Sequence, residues 1–72
     1  MKLAIERHIA PARKAAGLQQ ADLAELIGMS APMLSQIEHG NRPLPDGYFE
    51  RLPKAIRQDI IAAVIADLSA MR

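Results

Sequence analysis

Apolar residues recur along this chain at helical spacing, and glycines cut the pattern into short pieces. Between Gly17 and Gly28, Leu23, Leu26 and Ile27 fall at i, i+3 and i+4, with Asp22 and Glu25 on the outer face. Asp22 sits in the first turn, where the helix dipole favours an anion. This spacing predicts a helix over about Gln20 to Ile27. Gly17, Gly28 and Gly40 read as helix stops, because glycine readily takes the left-handed conformation that ends a helix. Leu18 and Met29 follow the first two, as the apolar residue that packs back on the last turn. Ser30 reads as the cap of the next helix. Pro32 falls in that helix's first turn, where a missing N–H matters little, so the capping bond is expected at the N–H of Met33. Met33 or Leu34, with Ile37, supplies the inward stripe of a helix over about Ala31 to His39. Two short helices joined by a tight glycine-containing turn make a helix-turn-helix.

Upstream, Lys2 to Ala16 carries Leu3, Ile5, Ile9 and Ala12 between charges, which predicts a first helix. Pro11 would break a hydrogen bond in its middle. Either the helix kinks near residue 10, or it begins near Ala10 and the preceding residues are separate. Downstream, NRPLPDGYFERLP is rich in turn residues, and a short fourth helix is expected over Pro45 to Arg51. Leu52 is pushed out of helical geometry by Pro53, which suits the first position of a fifth helix running to about Ala70. That helix carries Ile56, Ile60, Ile61, Val64, Ile65 and Leu68, wider than one ordinary apolar stripe. One side can pack on this domain. The other needs cover, and a second copy, contacting through Ile60, Ile61, Val64, Ile65 and Leu68, is the expected cover. The reading is therefore an all-α single domain over 1–72, with a core over 9–52 and a long C-terminal helix over 53–72.

Composition narrows the class further. A 72-residue chain buries roughly 60% of its unfolded surface, so self-association would help its stability. Thirteen alanines and only two aromatics, Tyr48 and Phe49, favour helices over a sheet. No cysteine is present, which excludes disulfides and thiolate metal sites. No apolar run is long enough for a membrane span and no signal-peptide pattern opens the chain, so a soluble cytoplasmic protein is expected. Nine Lys/Arg against eight Asp/Glu leave a formal charge of +1, so net charge gives no pointer to nucleic acid.

The stretch GLQQADLAELIGMSAPMLSQIEHGNRP resembles the Cro/repressor-type (XRE-like) helix-turn-helix of phage and bacterial transcription regulators. Leu18, Gln20, Leu23, Ala24, Gly28, Met29, Ser30, Ile37, Glu38 and Gly40 stand at the positions of that pattern. The resemblance covers residues 9–56 and implies a lambda-repressor-like five-helix domain. It also implies a helix-turn-helix over about 20–39, with its second helix in the major groove of double-stranded DNA. The base-reading positions it implies are Ala31, Pro32, Ser35 and Gln36. Gln20, Ser30, His39, Asn41 and Arg42 would contact phosphates. Arg13 would pair with Glu38 inside the fold. Two departures stand out. Gln19 replaces the usual Thr or Ser cap. Ala31 and Pro32 cannot hydrogen-bond a base, which leaves Gln36 as the side chain able to make a bidentate contact to adenine.

Residues 13–42 hold Arg13, Lys14 and Arg42 against Asp22, Glu25 and Glu38, so this segment is neutral. Phosphate binding is expected to lean on the backbone N–H groups at the starts of the second and third helices. Few cations also imply a shallow salt dependence. The expected function is a phage-type or autoregulatory repressor that binds an inverted repeat as a homodimer. The alternative is an antitoxin-like module that binds a protein partner through the last helix. No metal, cofactor or enzymatic chemistry is expected. His8 and His39 do not share a ligand spacing, and no glycine-rich phosphate loop occurs.

Overall fold

Pro11 decides where the first helix begins. In the computed structural model, which describes residues 5–70, a 3₁₀ turn at Ile5–His8 leads into helix α1, Ile9–Ala15. Pro11 is then the third residue of α1, where its N–H would have had no partner inside the helix. The chain therefore takes the second of the two options, a separate turn and a late start, and avoids a kink. Lys2 and Leu3, placed in the expected first helix, lie outside the described residues.

Helices α2, Gln20–Ile27, and α3, Ala31–Glu38, follow with the expected boundaries to within one residue. Each of the first three helices ends in the same way. At α3 the N–H of Gly40 donates to Ile37 O at 3.0 Å and that of Asn41 donates to Gln36 O at 2.9 Å. This is the paired closure made possible by a left-handed residue, here Gly40 at φ +79°. Gly28, at φ +77°, does the same between α2 and α3, with Met29 N–H on Ala24 O at 2.9 Å.

The expected helix over Pro45 to Arg51 is not formed. Gly47 takes φ +87°, outside helical geometry, so only Phe49–Arg51 wind, as a 3₁₀ turn. Helix α4 spans Lys54–Ala70. Pro53 precedes it, and its carbonyl accepts the first bond of the helix from Arg57 N–H at 3.0 Å. The architecture is thus four α-helices and two 3₁₀ turns, with no strand among the described residues.

One apolar cluster joins these elements. Ile9 from α1, Leu23 and Ile27 from α2, Leu34 and Ile37 from α3, and Ile56 and Ile60 from α4 are fully buried. Each such side chain contributes roughly 1.5–3 kcal/mol by leaving water. Ile60 therefore belongs to the protein's own core and is not available to a second copy, contrary to expectation. Val64, one turn on, also packs partly against this core. The row Ile56, Ile60, Val64 turns inward, whereas Ile61, Ile65 and Leu68 stay 49%, 58% and 44% exposed. The inward row ends at Asp67. Its carboxylate accepts from Arg7 Nη2 at 2.7 Å and from His8 Nε2 at 2.8 Å, fastening α4 to the first 3₁₀ turn. The Arg7 guanidinium, and after it the His8 ring, hold the Asp67 carboxyl below its ordinary pKa. Glu6, in the same turn, accepts from Leu44 N–H at 2.9 Å and ties down the loop after α3.

Candidate nucleic-acid interface

The position of α3 is set from beneath by an ion pair. Arg13 on α1 donates from Nε to Glu38 Oε2 at 2.8 Å and from Nη2 to Oε1 at 3.2 Å. Its Nη1 donates to Leu18 O at 3.0 Å, which closes the turn between α1 and α2. The side chains are 10% and 4% exposed. A buried pair costs desolvation on both partners, and only full hydrogen bonding offsets that. Here each guanidinium nitrogen and both carboxylate oxygens have a partner, and no buried side-chain polar atom among the described residues lacks one. Gln20, at the start of α2, adds a bond from Nε2 to Glu38 Oε1 at 2.9 Å. The amide expected at a phosphate is thus turned onto Glu38 in this state.

The starts of α2 and α3 differ from the expected amide-rich ends. Asp22 accepts from Gln19 N–H at 3.0 Å, so α2 has a reciprocal cap in place of the missing Thr or Ser. That cap also puts a carboxylate at the helix start, where it repels a phosphate. On α3, Ser30 Oγ accepts from Met33 N–H at 3.3 Å, the bond that Pro32 requires. Of the first three backbone N–H groups, Pro32 has none and Met33's is used. Only that of Ala31 is left for an anion.

The outer surface of α3 carries the four positions named from sequence. Pro32 and Gln36 are exposed; Ala31 and Ser35 are half-buried, and Ala31 leans on the core. Pro32 and Gln36 are one turn apart, as are Ala31 and Ser35, so the four share a face. Beyond the helix, His39, Asn41 and Arg42 are exposed. The His39 ring folds back, its Nδ1 donating to Ser35 O at 2.7 Å. A carbonyl only accepts, so Nδ1 carries the hydrogen, and a neutral ring then bears a lone pair at Nε2. Only the imidazolium form donates to a phosphate from there. Arg42 Nε donates to Gln36 Oε1 at 2.9 Å, which joins two residues that sequence assigned to separate tasks.

A helix-turn-helix family model, of the Cro/C1 type, matches residues 9–60. The chain belongs to this family. As a Cro/C1-type helix-turn-helix protein it is a DNA-binding transcription regulator of the XRE type. No match is found among curated proteins or among solved structures. Among the described residues, no helix is long and apolar enough to cross a membrane.

Sequence reasoning missed Arg51 in this helix-turn-helix protein. Its Nη1 donates to Ile27 O at 3.2 Å, at the end of α2, and its guanidinium lies 4.5 Å from the Tyr48 ring centroid. A Cβ added at Gly28 would meet that Nη1 at 3.2 Å. Arg51 thus clamps the turn between the two helices and brings a positive charge to it. No spacing rule links residue 51 to residue 27, so only the fold reveals the contact.

Proposed function

We propose that this protein is a sequence-specific regulator, a phage-type or autoregulatory repressor, that binds an inverted-repeat operator as a homodimer with α3 in the major groove. The observation that carries the reading is the two-sidedness of α3. Leu34 and Ile37 anchor one face completely, and Pro32, Ser35 and Gln36 occupy the other. A short, rigidly seated helix with a polar outer edge suits direct readout in the groove. Ala31 and Pro32 would serve by shape and by contact with a thymine methyl. Ser30, Asn41 and Arg42 would contact phosphates, as would His39 when protonated. Gln20 would do so with the N–H that Glu38 leaves over.

Dimerisation supplies what charge does not. Ile61, Ile65 and Leu68 form an uncovered row at i, i+4 and i+7 on α4, and covering it with a second copy would set two α3 helices on half-sites about 34 Å apart. The same row would also suit the antitoxin-like alternative, in which an unlike protein covers it. Mobility shifts on the gene's own upstream region, across salt concentrations, test the main reading. Specific affinity on the order of 10⁻⁸ to 10⁻¹¹ M is expected. No preference over random DNA at low salt would overturn it. Light scattering tests the cover: the wild type should be a dimer, and Ile61→Glu with Ile65→Glu a folded monomer. A monomeric wild type would favour the alternative.

A further inference from the structure

Gln36 and Arg42 do not act as two independent contacts, and the way they are joined changes which base they suit. The closure at Gly40 turns the chain back on itself, so that Arg42 returns beside Gln36, one and a half turns earlier on the helix. The hydrogen bond between them also fixes which way the Gln36 amide points. Every nitrogen of an arginine side chain donates and none accepts. The amide atom 2.9 Å from Arg42 Nε is therefore the carbonyl oxygen, and Nε2 is the atom left over.

An unpaired glutamine suits adenine, because its carbonyl accepts from N6 while its NH₂ donates to N7. Here the acceptor half is engaged by a cation. Its second lone pair could still take an adenine N6–H, but that would set the adenine amino group beside the guanidinium, donor against donors. Guanine offers two acceptors along the same edge, N7 and O6. We infer that Gln36 and Arg42 form one composite reading head, with its donors crowded on the outer edge, that selects guanine over adenine in the major groove. Arg42 is the positioning residue and Gln36 the contacting one. This rests on α3 lying in the groove, as proposed above.

The test is selection of bound sequences from a pool of duplexes randomised over roughly two helical turns, with the full chain as wild type, Arg42→Ala and Gln36→Ala. Both residues are exposed, so both variants should keep the fold, which circular dichroism checks. The wild type should enrich guanine over adenine by about tenfold at one position per half-site. Arg42→Ala should move that position to adenine, because the carbonyl is released. Gln36→Ala should flatten it to no preference. Adenine in the wild type, or guanine retained in Arg42→Ala, would overturn the composite head while leaving the DNA-reading function intact. Guanine retained in Gln36→Ala would make Arg42 the direct reader and overturn it equally. Enrichment of no sequence at all would overturn both the head and the function on which it rests.

Discussion

Two arginines grip α3 with the same atom at nearly the same distance, and they do different work. Arg13 Nε lies 2.8 Å from Glu38, and Arg42 Nε lies 2.9 Å from Gln36. Bond length does not separate them; burial does. Around Arg13, little water reaches the pair and each guanidinium nitrogen and carboxylate oxygen has a partner, so removing one side strands the other. Around Arg42, water can replace either partner, so the pair adds little to stability, and its remaining donors face outward. The buried grip holds the helix in place. The exposed one leaves chemistry on its surface.

The largest expected effect breaks the buried side. Glu38→Ala leaves the Arg13 charge uncompensated and should cost about 3–5 kcal/mol in urea denaturation. Arg13→Met with Glu38→Leu should recover most of that, because two apolar chains of similar volume need no partner. A loss below about 1 kcal/mol in the single variant would mean that burial does not distinguish the pairs. The exposed side should behave oppositely: Arg42→Ala and Gln36→Ala should each stay within about 0.5 kcal/mol of wild type in the same experiment. A larger loss in either would erase the comparison.

The smallest effect concerns a third contact of the exposed kind. Arg7 meets Asp67 at 2.7 Å on the surface, and the half-buried His8 ring reaches the same carboxylate at 2.8 Å. Asp67 titrates below its ordinary value of 3.8, so its share of stability is complete above that value and is lost as pH falls through the lowered one. Asp67→Asn should therefore lower the melting temperature slightly at pH 7 and leave it unchanged at a pH where the wild-type carboxyl is already protonated. A difference that persists unchanged in acid would show that the side chain acts through packing and not charge.

What the sequence reveals follows the reach of each interaction. The ends of α1, α2 and α3 are legible because a helix stop is local chemistry, a left-handed glycine with two bonds to carbonyls a few residues back. The Ser30 bond to Met33 is legible for the same reason. The stretch over Pro45 to Arg51 misleads because Pro45 offers a helix start that Gly47, at φ +87°, then cancels. On α4, periodicity shows two apolar rows without saying which one the core takes, so it groups Ile60 with Ile61 as cover for a second copy, whereas the core takes Ile60 and leaves Ile61 exposed. On α3, which residues turn outward is legible, but their partners are not. The Gln36–Arg42 bond, the Arg51 clamp and the inward turn of Gln20 depend on loops that return through space.

The bond from Leu44 to Glu6 carries a consequence for the unfolded chain. Pro43, Leu44 and Pro45 contain a single backbone N–H among three residues, and Glu6 takes it. Two proline rings already narrow the conformations open to this segment before folding begins, so little freedom remains to be lost when it is pinned. A loop with almost no regular structure can thus be ordered by one carboxylate, because much of its disorder was removed when its sequence was written.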